Sequence, residues 1–170
     1  MFALKKNIKL LLISFILIGL FSNLNIAHGA GSGSGSDSGG GSNKVDLYKS
    51  GKKIVYRAKK LEKKNKLEKA NKLYLKAFKK FEKAYSKDKK NPDILNYLGY
   101  TSRKVGNFEK AEIYYLKGLE LDAGHIGINE YLGELYVQTN RIELAKKRLD
   151  VLNGCKCEEY EELKELIENN

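Results

Sequence analysis

Two cysteines separated by a single residue, Cys155 and Cys157, are the side chains in this 170-residue sequence best suited to chemistry. The sequence holds no other cysteine. Two thiols this close can form a local disulfide, stay free or pair with another chain, or bind a soft metal such as Cu(I) or zinc with ligands from elsewhere. The residues alone leave all three open, and we treat the pair as a disulfide candidate. No thioredoxin-like strand pattern accompanies it, which argues against redox catalysis.

Other catalytic side chains are sparse. The sequence has two histidines, His28 and His125, and the first lies in an N-terminal segment that has the pattern of an export signal. One remaining histidine argues against a Ser-His-Asp triad and against a histidine metal site. Glu130 and Glu134 are one helical turn apart, but such acid pairs are typical of a solvated helix face. We therefore predict a protein that is not an enzyme and that has no cofactor and no metal site.

Residues 1–29 have the pattern of a secretory signal peptide. Three lysines among the first nine residues precede an apolar run at 10–21, and Ala27 and Gly29 provide small residues before a cleavage point. The run is short for a membrane span of about 20 residues. We predict an exported, periplasmic protein, with an uncleaved anchor in the inner membrane as the alternative. Residues 30–43 are rich in glycine and serine, which predicts a flexible linker.

The formal net charge of +11 is unevenly distributed along the sequence. Residues 44–91 carry +14, whereas residues 92–170 carry −5. A basic block of this size attracts polyanions. In an exported protein, anionic lipid headgroups, surface polysaccharide or an acidic partner protein suit the compartment better than nucleic acid, which is an unlikely partner. The lysines of the block could also simply be the solvent-exposed faces of helices, with no binding role. A third alternative is self-association, in which the basic half of one copy attracts the acidic half of another.

Downstream of residue 43 the sequence predicts helices. Apolar residues recur at spacings of three and four, as at Leu67, Ala70, Tyr74, Ala77 and Phe81. Glycine or asparagine interrupts the pattern at short intervals, and alternating Val, Ile and Thr runs typical of strands are missing from the sequence. The pattern indicates repeated helix-turn-helix units.

The units repeat with a period of 34 residues. Leu98-Gly99 reappears as Leu132-Gly133, and Ala111 reappears as Ala145. Within one unit, small and large residues stand where a tetratricopeptide repeat (TPR) places them: Leu98, Gly99, Gly106, Phe108, Ala111, Tyr115 and Gly118. The sequence therefore resembles the tetratricopeptide repeat family, most closely over residues 92–152.

The resemblance implies an all-α, right-handed α-solenoid of about three helix-turn-helix repeats plus a C-terminal capping helix. We expect a signal peptide at residues 1–29 and a flexible linker at 30–43. Three repeats follow: a basic first repeat with an extended second helix at 44–91, a second at 92–125 and a third at 126–152. A Cys-x-Cys turn with an acidic capping helix completes the sequence at 153–170. The ending LNGCKCEEYEELKELI is similar to that of exported alphaproteobacterial members of the family, although their cysteines are usually further apart.

The resemblance also implies a binding surface, because the first helix of each repeat in this family lines a concave groove that binds a peptide or a helix. Carried over by register, the groove residues are Lys52, Val55, Lys59, Asn96, Tyr100, Arg103, Glu130, Glu134 and Gln138. This set lacks the Lys/Asn arrangement that clamps a C-terminal carboxylate in some members, and its mixed charges favour a ligand of mixed charge.

Two functions follow as expectations. The first is a non-catalytic, exported scaffold that binds a protein or peptide partner in the cell envelope through the groove. The alternative is an electrostatic anchor that holds anionic envelope surfaces through the lysine-rich N-terminal helices, and its binding would be lost as salt is raised.

Overall fold

The computed structural model describes residues 42–170, with side chains from Leu47 onward; the expected signal peptide and residues 30–41 of the expected linker lie outside the described residues. Over this part the chain forms helices and no strand. The predicted all-α class is confirmed. The seven helices are α1 (Ser42–Glu62), α2 (Leu67–Lys87), α3 (Pro92–Lys104), α4 (Phe108–Leu121), α5 (Ile126–Gln138), α6 (Ile142–Leu152) and α7 (Glu158–Glu168).

The helices pack as three consecutive hairpins, α1 with α2, α3 with α4, and α5 with α6. The turn inside each hairpin contains one residue with a positive φ: Asn65 at 55°, Gly106 at 82° and Asn140 at 57°. Glycine and asparagine tolerate this left-handed conformation better than other residues, because it brings a Cβ close to the backbone. The asparagine or glycine breaks in the sequence therefore set where the first helix of each hairpin ends.

Side-chain caps set where three of the following helices begin. The Asn91 side chain accepts a hydrogen bond from the Ile94 backbone N–H at 3.3 Å, and the Asn107 side chain accepts one from Lys110 at 3.1 Å. At the start of α5, His125 Nδ1 accepts the backbone N–H of Ile128 at 3.2 Å. Each cap satisfies one of the N–H groups that a helix start leaves without a partner. The histidine in the inter-repeat loop thus has a local structural contact.

Buried apolar side chains between the helices form two clusters, one across α1, α2 and α3 and one across α4, α5 and α6. Helix α2 has 21 residues, against 14 in α4 and 11 in α6, and it buries a stripe along its whole length. Phe81 on this helix stacks on Tyr97 of α3 with ring centroids 4.9 Å apart. The ring of Phe81 also lies 6.0 Å from that of Tyr48 on α1. The stripe recognised in the sequence therefore packs α2 against α1 within the first hairpin and against α3 of the second.

Helix α7 covers the end of the last hairpin, where it contacts both α5 and α6. Its side chain Leu163 is fully buried. A Cβ added at Gly133 would lie 2.5 Å from Leu163 Cδ2, so the glycine permits the close approach of α7 to α5. The acidic residues in the first turn, Glu158, Glu159 and Glu161, lie where the helix dipole favours negative charge. Among the described helices, none is both long and apolar enough to cross a membrane.

The two cysteines lie in the turn between α6 and α7 and are joined by a disulfide, with their Cα atoms 5.2 Å apart. The intervening Lys156 has a φ of 52°, and the preceding Gly154 has a φ of 91°. The disulfide closes this turn just before the capping helix begins. Of the three possibilities that the sequence leaves open for the pair, the structure shows the local disulfide.

Candidate functional site

The first helices of the three hairpins, α1, α3 and α5, line a concave groove. It consists of two adjoining cavities of about 230 and 360 Å³, which share Lys59, Tyr100 and Tyr131. The smaller cavity is bounded by α1, α3 and α5 alone, and the larger also touches α7 through Glu162. The further lining residues are Lys52, Val55, Tyr56 and Tyr97 in the smaller cavity, and Glu62, Lys63, Arg103, Lys104, Glu130 and Glu134 in the larger.

Seven of the nine groove residues expected from the sequence line these two cavities: Lys52, Val55, Lys59, Tyr100, Arg103, Glu130 and Glu134. Asn96 and Gln138 do not. Asn96 is buried against the start of the next hairpin, where a Cβ added at Gly127 would lie 2.8 Å from its Nδ2. Gln138 is the last residue of α5 and is exposed outside both cavities. These two residues of the expected set lie outside the lining of the two cavities.

Tyrosine rings form the floor of the groove. The Tyr100 ring lies 5.0 Å from that of Tyr131 and 5.9 Å, edge to face, from that of Tyr74. Tyr97 completes the lining of the smaller cavity. Tyr97 and Tyr131 were missed in the expected set although they are separated by the 34-residue period. That equivalence in the repeat was the signal that could have identified them.

Two lysines of α1 lie over these rings. The Lys52 ammonium is 5.4 Å from the ring centroid of Tyr48 and 5.8 Å from that of Tyr97, while the Lys59 ammonium is 5.1 Å from that of Tyr100. At these distances the ring quadrupole attracts the cation. The contacts hold positive charge along the α1 side of the groove.

Two of the acidic groups in the larger cavity are paired with cations. Arg103 Nη1 lies 2.6 Å from Glu134 Oε2, with the arginine side chain 4% exposed. Glu62 accepts hydrogen bonds from Lys104 and, at 2.7 Å, from the Tyr74 hydroxyl. Burial opposes ionisation of Glu62, but these hydrogen bonds and the charge of Lys104 outweigh it and lower its pKa. Both acidic side chains thus have a cation partner within the groove.

Glu130 behaves differently because it is buried, with 4% of its surface exposed. Burial, the charge of Glu134 and a hydrogen bond to Glu162 raise its pKa from 4.5 to about 9, with smaller contributions from the charges of Glu162 and Glu159. At neutral pH this side chain holds its proton. It therefore adds a hydrogen-bond donor, and no negative charge, to the contact between α5 and α7.

The arrangement is suited to holding an extended segment or a helix, because it is an open groove with an aromatic floor and charged walls. Its acids are paired with cations or with each other, and no Ser, Thr, Cys or His side chain lies among the described lining residues. In the described part of the chain, no three or more His, Cys, Asp or Glu side chains are grouped so as to hold a metal ion.

Comparisons with known proteins agree with the repeat pattern. A family model described as tetratricopeptide repeat matches residues 80–113, which include all of α3. A search of the curated proteins found no match.

Among solved structures, the second TPR domain of human RPAP3, in complex with the HSP70 peptide SGPTIEEVD, has a TM-score of 0.50 and 17% identity over 75% of this chain and 99% of that chain. The Arabidopsis OM64 TPR domain has a TM-score of 0.49 and 12% identity, covering 72% and 98%. The Yersinia enterocolitica type III secretion chaperone SycD, in complex with a peptide of the translocator YopD, has a TM-score of 0.47 and 19% identity, covering 69% and 86%.

The likeness to the RPAP3 domain extends over nearly the whole of that domain and shows a shared fold. The matched repeat, the 34-residue period and the three hairpins with their capping helix lead to the same assignment. The chain contains a tetratricopeptide repeat at residues 80–113, and its described part has the fold of a tetratricopeptide repeat domain.

Proposed function

We propose that this protein is a non-catalytic adaptor that binds a segment of a partner protein in the groove formed by α1, α3 and α5. The observation that carries the proposal is the groove itself, where half-buried Tyr97 and Tyr131 and the buried Tyr100 form an aromatic floor between charged walls. Aromatic side chains in a concave, charged surface supply the contacts that dominate protein interfaces.

The RPAP3 domain, which has the same fold, was solved in complex with a peptide of HSP70. This supports a peptide-binding role for the fold and does not identify a partner here. The residues of the groove supply the chemistry: hydrogen-bonding tyrosines, lysines on α1, and a buried ion pair between Arg103 and Glu134 that holds α3 and α5 in register. A rigid, preformed groove reduces the ordering cost of binding.

The proposal includes export to the cell envelope, with the adaptor acting in the periplasm or from the outer side of the inner membrane. This part rests on the sequence of residues 1–29, with its lysines, apolar run and small residues. Fusion of residues 1–43 to a reporter that is active only after export tests it. Reporter activity equal to that of a fusion lacking residues 1–29 would contradict export.

Capture of partners by crosslinking from the envelope fraction tests the groove. Substitution of Tyr100 and Arg103 is a poor probe, because their side chains are buried, at 4% and 6% exposed, and their loss would damage the fold. The better groove variant is Tyr56→Ala with Lys59→Glu, since Tyr56 is 60% exposed and Lys59 is exposed as well.

The matched control carries substitutions on α2, Leu75→Ala with Lys76→Glu, at exposed positions that line neither of the two groove cavities. We expect the groove variant to lose partners that the wild type and the control retain. Recovery of the same partners by all three proteins would refute the groove as the binding site.

A second candidate function is an electrostatic anchor on anionic surfaces. The observation that favours it is the outer face of α2, where Lys69, Lys76, Lys79 and Lys83 are exposed and form no ion pair with any described residue. Binding of this kind is screened over about 10 Å at 0.1 M salt. We expect an anchor to detach from anionic membranes between low and physiological salt, whereas a groove complex should persist.

A further inference from the structure

The groove of the folded protein is more positive than its composition indicates. The sequence places acidic and basic side chains together in the groove, which favours a ligand of mixed charge. In the structure, however, most of these acidic side chains have partners within the protein itself. Glu62 is paired with Lys104, and Glu134 is paired with Arg103. Glu130 is buried and shares a hydrogen bond with Glu162. Among the described lining residues other than Glu130, Glu162 on α7 is the carboxyl group left without a cation partner, and it lies across the larger cavity from α1.

The cations on the opposite wall are not neutralised. Lys52 and Lys59 are seven residues apart on α1, and Lys63 follows four residues later, directly after the last residue of the helix. The Lys63 backbone N–H donates to the Lys59 carbonyl at 3.0 Å, so the three lysines continue along one face beside the groove. None of the three forms an ion pair with a described residue. The ammonium groups of Lys52 and Lys59 lie over the faces of tyrosine rings, which leaves their N–H donors able to bind a carboxylate.

The smaller cavity lies beside this row of lysines. Its volume of about 230 Å³ is below the range of about 300–1,000 Å³ that is usual for small-molecule sites, and its walls are the rings of Tyr56, Tyr97, Tyr100 and Tyr131 with Val55. A space of this size between aromatic rings suits one large apolar or aromatic side chain, for which stacking or edge contacts add to the burial.

We propose that the occupant of the groove is an acidic segment of a partner protein, which lays its carboxylates along Lys52, Lys59 and Lys63 and inserts one aromatic or branched apolar side chain between Tyr97, Tyr100 and Tyr131. The inference rests on the proposed function of the groove. Charge complementarity selects the segment and gives its direction along α1, while the tyrosine-lined cavity fixes its register.

Selection from a random library of peptides of about 12 residues tests this, with the full chain as bait at about 150 mM salt, where long-range attraction is largely screened. The counter-selection bait is Lys52→Gln with Lys59→Gln and Lys63→Gln, in which glutamine retains most of each stem. The matched control replaces Lys76, Lys79 and Lys83 of α2 by glutamine. Thermal unfolding followed by circular dichroism verifies that all three baits are folded.

We expect the peptides enriched on the wild type to be net acidic and to carry an aromatic or branched apolar residue at a fixed distance from the acids. Affinity should fall about tenfold on the groove variant, since three ion pairs contribute about 0.5 kcal/mol each. It should change less than about twofold on the control variant, whose lysines lie outside the groove cavities. Replacing the apolar residue of an enriched peptide by glycine should cost at least as much as the three lysines.

Enrichment of neutral or basic peptides would overturn the inference, as would an equal loss of affinity on the groove and control variants, or the lack of any enrichment. Vesicles containing phosphatidylglycerol and a single-stranded oligonucleotide are tested against the same baits. If these bind with the groove lysines and acidic peptides do not, the protein-segment assignment is wrong. A partner captured through the groove whose bound segment is not acidic would contradict this inference and leave the proposed function standing.

Discussion

Replacement of Glu130 by glutamine should remove a large pH dependence from the stability of this protein. Glu130 is buried on α5 near α7, with Glu134 on its own helix and Glu159 and Glu162 on the capping helix. Burial and these carboxyl groups raise its pKa to about 9. Glutamine has nearly the same shape and can donate a hydrogen bond to Glu162 as the protonated acid does.

The sign and size follow from proton linkage. In the unfolded chain Glu130 loses its proton near its ordinary pKa of 4.5, whereas in the folded protein it keeps the proton up to about pH 9. Folding therefore takes up one proton between these values, and the free energy of unfolding falls by about 1.4 kcal/mol for each unit of rising pH. The stabilising effect of the proton is complete below pH 4.5 and is lost by about pH 9. From pH 5.5 to pH 7.5 the wild type should lose about 3 kcal/mol relative to Glu130→Gln.

Urea unfolding followed by circular dichroism at several pH values measures this difference. Because small proteins lose about 1–3 kcal/mol per molar urea, the midpoint of the wild type should move down by about 1 M or more relative to the variant over those two pH units. Other titrating groups contribute equally to both proteins and cancel in the comparison. Parallel pH profiles for the wild type and Glu130→Gln would refute the assignment of a buried, protonated carboxyl at this position.

Three further predictions concern the cap and the turns. Leu163→Ala should destabilise the fold by about 2–5 kcal/mol, because this side chain of α7 is fully buried. Leu166→Ala is the control on the same helix and should cost well under half as much, since Leu166 is 37% exposed. Equal urea midpoints for the two variants would contradict the capping role of α7. Asn107→Ala should cost about 1 kcal/mol through loss of the α4 cap, measured by thermal unfolding, and an unchanged melting temperature would argue against the cap. Cys155→Ser should lower the free energy of unfolding by only about 1–2 kcal/mol, because the disulfide closes a very short loop. A larger loss in urea unfolding would contradict this small, local contribution of the disulfide.

The sequence was sufficient to predict the helical class and the repeat because both depend on local chemistry. The 34-residue spacing of Leu98 and Leu132 reflects a packing unit, and the asparagine and glycine breaks coincide with turns in which a positive φ is required. These signals depend on residues that are close in the sequence or one repeat apart, so the helices and the repeat can be predicted from the sequence alone.

The groove was predicted less completely because neighbouring repeats cover equivalent positions differently. Asn96 and Glu130 are one repeat apart, yet the next hairpin buries Asn96 at Gly127 while Glu130 stays in the lining of the groove. Lys104 and Gln138 are also equivalent, and only Lys104 contacts the cavity, where it binds Glu62 of α1. Which equivalent position reaches the groove depends on the helix packed beside it.

The charge of the groove was not predictable from composition because its pairings are long-range. Glu62 is 42 residues from Lys104, and the Arg103–Glu134 pair joins two different hairpins. The proton on Glu130 depends on α7, which the repeat pattern does not include. Only the folded arrangement shows that Glu62 and Glu134 are paired with cations while Lys52, Lys59 and Lys63 have no acidic partner among the described residues.

Site-resolved photocrosslinking in cells tests the central claim most directly. A photoreactive phenylalanine analogue is placed singly at Tyr56 or Lys63 beside the groove, and at Leu75 or Ile113, which are exposed outside its cavities. Binding of a partner segment in the groove predicts adducts to the same partner from Tyr56 and Lys63, and few or none from Leu75 and Ile113. Adducts from the outer positions with none from the groove positions would contradict it.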